Sequence, residues 1–224
     1  MRRYLPVCLD LNGRRAVIVG GGAVATQKMR DFAECGAEIT VVSPQATDEI
    51  RGEAAAGRLR LIERRCQPSD IDGAFLVVVA TDDPAANAEI FEEASAAGQL
   101  VNVCDDPEHC SYIFASRIER GPLTVSIFTH GTSPALSRRV RRELEAWLGP
   151  EYQELAELLA ELRPQVKALR GLTQPERQRI FERIVYSEAL VLFREGRGEE
   201  ARGLADGILT TETRRAQRGE PGED

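Results

Sequence analysis

Residues 15–36 read RAVIVGGGAVATQKMRDFAECG and give the clearest indication of the fold. The β-branched run at 16–19 is typical of a buried strand in a parallel sheet. The residues from Val24 to Cys35 suit a helix, which ends at Gly36. A glycine-rich turn between a strand and a helix predicts the start of a βαβ unit.

The turn itself, at residues 20–25, fits the pattern G-x-G-x-x-A. Gly20 permits the tight turn, Gly22 lets the backbone approach a diphosphate, and Ala25 allows the helix to pack closely on the sheet. The free N–H groups at a helix N-terminus also favour an anion. We therefore predict a diphosphate site at Gly20, Gly22, Ala23 and Val24.

Strands and helices alternate through the first half of the chain. Further strands are predicted at 38–42, 59–62, 74–80 and 100–103. Helices are predicted to begin at Ser43–Pro44 and at Asp83–Pro84, because each pair places an N-cap residue before a proline. The alternation predicts an α/β fold with a Rossmann-like parallel sheet, which binds NAD at the carboxyl ends of its strands.

The end of the second predicted strand bears on the choice of cofactor. A Rossmann site usually has Asp or Glu there to hold the ribose hydroxyls, whereas an arginine accommodates the 2′-phosphate of NADP. This chain has Ser43 and Pro44 at that point, with no arginine beside them, which favours NAD. Thr81, after the strand at 74–80, is a further predicted contact, while Asp83 is expected only to cap a helix.

Two adjacent carboxylates, Asp105 and Asp106, follow the last predicted parallel strand. Ligands of open sheets bind beyond the carboxyl ends of the strands, so we expect one of the two to face the substrate. A carboxylate beside a nicotinamide can accept a proton while a hydride leaves the substrate. The alternative is that one of the pair only caps the turn before Pro107.

The pattern changes in the second half of the chain. A strand is predicted at 123–128, and the segment 131–134 opens a helix with an apolar stripe. From Glu151 onward the sequence is helical, and its last dozen residues are polar. The expected divisions are a nucleotide-binding domain at 1–113, a small α+β segment at 114–150, a helical module at 151–212 and a disordered tail at 213–224.

Composition disfavours several classes of protein. The net charge of −7 argues against a bulk nucleic-acid binder, and no apolar run approaches the length of about 18 residues that a membrane span needs.

Five cysteines without a regular framework indicate reduced thiols and a cytoplasmic protein. Cys104, His109 and Cys110 lack the spacing of a zinc site, so no metal site is predicted.

Four motifs occur in an order that resembles one family. They read GGGAVATQK at 20–28, ATDDPAAN at 80–87, VNVCDDPEHCSYIFAS at 101–116 and GTSPALSRRVRREL at 131–144. In this order and spacing they resemble the precorrin-2 dehydrogenase family, which includes the N-terminal part of siroheme synthases and the stand-alone dehydrogenase/chelatases. The similarity is close over about residues 3–148 and looser over the C-terminal helices.

The resemblance implies oxidation of precorrin-2 to sirohydrochlorin with NAD⁺. In many members it also implies insertion of Fe²⁺, which is a substrate, to give siroheme. It further implies a homodimer in which the segment at about 114–150 is exchanged. The family's proposed general base falls on Asp105. Siroheme synthases have a serine two residues before the GTSP motif, and Thr129 stands there in this chain, which weakens a phosphorylation role at this position.

Precorrin-2 carries many carboxylates and therefore needs positive charge and free N–H groups. Arg138, Arg139, Arg141 and Arg142 follow the start of a predicted helix, and such a cluster in an acidic chain can attract a polyanion. The alternative for any single arginine is a solvated helix face. The predicted substrate contacts are Asn102, Thr129, His130, Gly131, Thr132, Ser133, Arg138, Arg139 and Arg142.

Two other functions remain open on these grounds. A dehydrogenase without chelatase activity would have the same residues, because one carboxylate can serve both steps. A regulatory module that senses nucleotides would explain the glycine-rich turn and a dimer. It would not explain the segment around Asp105 or the arginine-rich helix.

Overall fold

A computed structural model of the protein describes residues 3–169 and 171–218. The chain divides into two compact units, Met1–Phe114 and Ala115–Asp224. This division lies one residue from the boundary expected at 113. The finer divisions expected at 150 and 212 stay predictions.

The first unit is a five-stranded parallel sheet in the order β3-β2-β1-β4-β5. The strands are β1 (Arg15–Val19), β2 (Glu38–Val42), β3 (Arg60–Ile62), β4 (Leu76–Val79) and β5 (Leu100–Val103). The connecting helices are α1 (Ala23–Glu34), α2 (Asp48–Ala55) and α3 (Pro84–Ala96). The order reverses between β1 and β4, where open sheets bind ligands. The predicted Rossmann-like fold is confirmed.

The sheet is covered on both faces, which explains its continuous apolar strands. Successive residues of a strand point to opposite faces, so β1 contributes to two separate cores. Ile18 packs in one core with Phe32 of α1. Val17 packs in the other with Ile90 of α3. All four residues of β4 are buried.

The prediction that a helix begins at Ser43–Pro44 is wrong. Helix α2 begins at Asp48, and Thr47 is its N-cap. The hydroxyl of Ser43 donates to the carbonyl oxygen of Gln45 at 2.6 Å, and no helical turn follows it before Asp48. The residues after β2 therefore form a loop, and this loop lines the cavity of the first unit.

The second unit begins with an antiparallel hairpin, β6 (Ser116–Arg120) and β7 (Leu123–Ile127). Helix α4 (Pro134–Trp147) follows and packs on the hairpin. The sequence did not predict β6, whose residues read SRIER. Only Ile118 of this strand is buried, so an apolar alternation is hardly visible.

Four helices complete the second unit: α5 (Glu151–Ala168), α6 (Gln174–Val185), α7 (Ala189–Arg194) and α8 (Gly198–Gln217). They enclose a core that includes Leu158, Val166 and Ile184. Helix α8 continues to Gln217, so residues 213–217 of the expected tail are helical. Residues 219–224 of that tail lie outside the described residues.

Two adjacent residues of α6 offer a test of this core. Ile184 is 0% exposed, whereas Val185 is 38% exposed. We expect Ile184→Ala to lower the free energy of unfolding by about 2–5 kcal/mol, because the change leaves a cavity. The matched change Val185→Ala should alter it by less than about 1 kcal/mol. Urea unfolding of both variants measures the difference, and equal losses would contradict the packing of α6.

Candidate functional site

A cavity of about 1030 Å³ opens at the carboxyl ends of β1, β2 and β4, within the first unit. It is lined by the turn after β1, the loop 43–47, the segment 65–68 after β3, the segment 80–83 after β4 and one side of α3. Every predicted cofactor contact lines this cavity: Gly20, Gly22, Ala23, Val24, Ser43, Pro44 and Thr81.

Two glycines of the turn after β1 have no room for a side chain. A Cβ on Gly20 would lie 2.2 Å from the carbonyl oxygen of Ala80, and one on Gly21 would lie 2.1 Å from that of Gln45. Gly20 also has a φ of +115°, which only glycine adopts readily. At Gly22, by contrast, a Cβ would meet no described atom within 4 Å beyond its chain neighbours. The backbone at Gly22 is therefore open to a ligand.

The N-terminus of α1 suits a diphosphate. Gly22 is the N-cap, so no side chain caps the helix, and the fully described first turn contains no acidic residue. The first N–H groups of a helix, here those of Ala23 and Val24, have no acceptor within the helix. Together with the helix dipole they favour an anion at this point, so the residues present fit a bound dinucleotide.

The loop after β2 forms the other side of the cavity. Ser43 is buried, and its N–H donates to the carbonyl oxygen of Ile62 at 3.0 Å. This bond places the end of β3 beside the end of β2. As a result Arg65, three residues beyond Ile62, lines the cavity. Sequence reasoning missed Arg65, because the contact arises only when β3 pairs with β2.

Arg65 is a cation that a ligand could recruit. The neighbouring Arg64 is occupied by two hydrogen bonds to the carboxylate of Asp70, at 2.6 and 2.7 Å, which lower the pKa of Asp70. Arg65 reaches Asp83 only at 3.5 Å, and its side chain is largely exposed. Such an exposed pair contributes little energy, so Arg65 can turn toward a ligand.

Thr81 and Asp83 occupy the turn between β4 and α3. The Thr81 hydroxyl donates to Oδ1 of Asn87 at 2.5 Å and accepts from the N–H of Asp83 at 3.2 Å. Asp83 caps α3 through the N–H groups of Ala85 and Ala86, as the sequence predicted. Thr81 therefore lines the cavity while its hydroxyl shapes the turn.

Asp105 and Asp106, in the turn after β5, have different surroundings. Asp105 is exposed, has a φ of +61° and makes no hydrogen bond to any described residue. Asp106 is paired with Nδ1 of His109 at 2.6 Å, and this hydrogen bond lowers the pKa of Asp106. Of the two, Asp105 is the carboxylate that a substrate could reach, although it does not line the cavity described above.

Asn102, a predicted substrate contact, lies in β5 with its side chain buried. Its Nδ2 donates to the carbonyl oxygen of Tyr112 at 3.0 Å and to Sγ of Cys110 at 3.3 Å. Both amide hydrogens are therefore used inside the first unit. A substrate contact through Nδ2 does not fit this arrangement.

In the second unit, predicted substrate contacts gather at the N-terminus of α4. Ser133 is the N-cap, and its hydroxyl accepts from the N–H of Leu136 at 3.2 Å. The Thr129 hydroxyl donates to the carbonyl oxygen of Ser133 at 3.3 Å and lies 3.1 Å from the hydroxyl of Ser137. These bonds fold the segment before α4 back onto the first turn of the helix.

The residues between Thr129 and Ser133 are at the surface. His130 has a φ of +51°, and its ring centroid lies 4.9 Å from that of Phe128. Gly131 and Thr132 are exposed. The N–H of Thr132 donates to the carbonyl oxygen of Thr129 at 2.9 Å. The N–H of Gly131 has no acceptor among the described residues and is open to a ligand with carboxylates.

The predicted arginines lie further along α4. Arg139 donates to a carboxylate oxygen of Glu143 at 2.8 Å. Arg138, Arg141 and Arg142 have no ion-pair partner among the described residues. All of α4 is described, and none of its residues is buried. Three of its four arginines are thus available to an anion.

Residues 3–169 and 171–218 lack two features that would suggest another kind of site. No helix there is long and apolar enough to span a membrane. No group of three or more His, Cys, Asp or Glu side chains there is arranged to hold a metal ion.

Relatives with known sequences and structures are similar to most of the chain. The siroheme synthase of Pseudomonas entomophila is 43% identical over 74% of this chain and 36% of its own length. That of Pseudomonas paraeruginosa is 39% identical over 91% and 43%. The chain thus spans less than half the length of these relatives. The solved structure of SirC, a precorrin-2 dehydrogenase, matches with a TM-score of 0.79 and 28% identity over 91% of this chain and all of that one.

The N-terminus of α1, whose first N–H groups have no acceptor within the helix, lies beside the cavity at the strand ends. This arrangement defines a nicotinamide dinucleotide-binding domain. Residues 7–116 match a family model for NAD(P)-binding, which agrees with the predicted cofactor. Residues 120–146 match the central region of sirohaem biosynthesis proteins, and 151–209 match the sirohaem synthase dimerisation region. The chain belongs to the precorrin-2 dehydrogenase family, which includes the N-terminal part of siroheme synthases.

Gly22 offers a way to separate cofactor binding from folding. Because a Cβ here meets open space and Asp is a good N-cap, we expect Gly22→Asp to keep the melting temperature within about 4 °C. The added charge would face the diphosphate, so the Kd for NAD⁺ in a calorimeter should rise at least about tenfold.

Gly20→Ala provides the comparison, since its Cβ would overlap the Ala80 carbonyl and should destabilise the protein itself. Unchanged affinity for NAD⁺ in a folded Gly22→Asp protein would contradict the diphosphate site.

Proposed function

We propose that the protein is an NAD-dependent precorrin-2 dehydrogenase, which oxidises precorrin-2 to sirohydrochlorin. The observation that carries the proposal is the presence, in one unit, of a dinucleotide cavity and an exposed carboxylate at adjacent strand ends. The cavity residue Thr81 follows β4, and Asp105 follows β5, which pairs with β4 in parallel. The structural similarity to SirC supports the choice of substrate.

The reaction removes one hydride and one proton from precorrin-2. NAD⁺, when bound, supplies the hydride acceptor. A carboxylate oxygen of Asp105 is the proposed proton acceptor, since no described residue occupies it by a hydrogen bond. Asp106 is held by His109 and is not available for this role.

We infer that the substrate carboxylates bind at the N-terminal part of α4. The N–H groups of Gly131 and Ser133 are the proposed hydrogen-bond donors, with His130 beside them. The predicted contacts through the Thr132 N–H and the Thr129 hydroxyl do not fit, because these groups already donate to the carbonyl oxygens of Thr129 and Ser133. Arg138 and Arg142 are the proposed cations, because the described residues leave them unpaired. Arg139 contributes less, because Glu143 competes for its guanidinium.

We infer further that two copies of the chain form a homodimer. The match of residues 151–209 to the sirohaem synthase dimerisation region supports this state. Helix α4 exposes Leu136 and Trp147, which supports a contact between copies through the segment 114–150. A cytoplasmic location remains a prediction from the five free cysteines.

Insertion of Fe²⁺ into sirohydrochlorin is a second proposal, which the siroheme synthase relatives support. Two pyrrole N–H protons must leave as the iron enters, and Asp105 is the proposed acceptor for them. Addition of Fe²⁺ to the anaerobic product, followed by visible spectra, tests this step separately. Without enzyme-dependent formation of siroheme, the protein is a dehydrogenase alone.

Substitution of Asp105 tests the proposed dehydrogenase. We expect Asp105→Ala to lower kcat for precorrin-2 oxidation at least about a hundredfold, because the proton loses its acceptor. The Kd for NAD⁺ should stay within about twofold, because Asp105 does not line the cavity. NADH absorbance under anaerobic conditions follows the reaction.

The exposed Asp206 of α8 supplies a control, and Asp206→Ala should leave the rate unchanged. If Asp105→Ala oxidises precorrin-2 at the rate of the unmodified protein, Asp105 is not the base. If the unmodified protein binds NAD⁺ but oxidises no precorrin-2, a nucleotide-sensing module becomes the better interpretation.

Cofactor preference provides a separate prediction. No carboxylate stands at the end of β2 to repel a 2′-phosphate, and Arg65 lines the cavity nearby. We expect Arg65→Ala to weaken NADP⁺ binding about fivefold more than NAD⁺ binding, because only NADP⁺ carries the 2′-phosphate that Arg65 could contact. Calorimetry measures the Kd of each dinucleotide with both proteins. An equal loss of affinity for NADP⁺ and NAD⁺ would show that Arg65 does not contact the 2′-phosphate.

A further inference from the structure

The turn that carries Asp105 is held in an unfavourable conformation. The N–H of Asp106 donates to the carbonyl oxygen of Val103 at 3.2 Å and closes the turn 103–106. Asp105 is its third residue and has a φ of +61°. Glycine or asparagine most often takes this position, and aspartate adopts it at a smaller cost than most other residues. The contacts around the turn help to hold Asp105 in this conformation.

The thiol of Cys110 lies across this turn. Its Sγ is 3.1 Å from the carbonyl oxygen of Asp106 and 3.3 Å from that of Val103. These oxygens belong to the last and first residues of the turn, and the single S–H is shared between them. Cys110 is 6% exposed, so the carbonyls receive this donor in a place that water barely reaches.

Asn102 orients the thiol. Its Nδ2 donates to Sγ of Cys110 and to the carbonyl oxygen of Tyr112, and the residue is 7% exposed. A backbone bridge also joins Asn102 and Cys110. Because Sγ accepts a hydrogen bond from the amide, its own hydrogen is directed toward the carbonyls of the turn.

His109 restrains the far side of the turn. Its Nδ1 pairs with Asp106, and its ring packs edge-on against Phe91 at a centroid distance of 4.8 Å. Neither Asp105 oxygen is hydrogen-bonded to a described residue. The surroundings therefore fix the backbone of Asp105 and leave its carboxylate free.

We propose that Cys110, oriented by Asn102, is a positioning residue that holds the Asp105 carboxylate in the geometry for proton acceptance. The inference rests on the proposed function, in which Asp105 is the base. A displacement of about 1 Å at a reacting group can cost about a hundredfold in rate, so loss of this restraint should be visible in kcat.

Three cysteine variants test the proposal. Cys110→Ala removes the shared donor and should lower kcat for precorrin-2 oxidation at least about tenfold, with KM and the Kd for NAD⁺ within about twofold. Cys110→Ser keeps a donor and an acceptor and should recover kcat to within about threefold. Cys35 is exposed at the end of α1, and Cys35→Ala should leave all three constants unchanged.

Asn102→Ala gives an independent measurement, because it removes the orienting amide and keeps the thiol. It should show the same loss of kcat with unchanged affinity for NAD⁺. In an Asp105→Ala background, Cys110→Ala should change the residual rate by less than about twofold, since the thiol acts through Asp105.

The positioning role is overturned if Cys110→Ala and Asn102→Ala both keep kcat within about twofold of the unmodified protein while Asp105→Ala is inactive. It is also overturned if kcat falls only together with NAD⁺ affinity and melting temperature, because that pattern is a general loss of structure. Full activity of Asp105→Ala would overturn the base itself, so the two failures are distinguishable.

Discussion

The first unit depends on the close backbone approach at Gly20 and Gly21. A side chain at either position would overlap the carbonyl of Ala80 or that of Gln45. Without side chains, the turn after β1 fits between the segment after β4 and the loop after β2. Helix α1 then starts directly at the sheet edge with its first N–H groups open. This one constraint builds the cavity and the anion site together.

The sequence was sufficient where short-range chemistry decides the structure. β1, β4 and α3 follow from apolar runs, a glycine turn and an Asp-Pro cap, all of which act within a few residues. A similar signal, Ser43 before Pro44, did not start a helix. The N–H of Ser43 donates to the carbonyl oxygen of Ile62, and this tertiary hydrogen bond holds the segment beside β3. β6 was missed because Ile118 is the one buried residue among its five, which leaves little apolar pattern to detect.

The site shows the same limit. The turn residues and Thr81 could be predicted, because each belongs to a local motif at a strand end. Arg65 could not, because its place depends on the pairing of β3 with β2. Asn102 was expected to contact substrate, yet its side-chain amide donates both of its hydrogens to Cys110 and Tyr112. Motif spacing locates a residue at an edge of the sheet, but only the fold decides which partner its side chain meets.

The arrangement separates two tasks along one sheet edge. Glycine backbone and helix N–H groups provide a site for the dinucleotide, while the strained turn after β5 presents a carboxylate at the neighbouring strand end. A crystal structure of the protein with NAD⁺ tests this arrangement most directly. We expect the diphosphate on the N–H groups of Ala23 and Val24, with the adenosine among the residues that follow β2 and β3. A dinucleotide bound away from the N-terminus of α1 would contradict it.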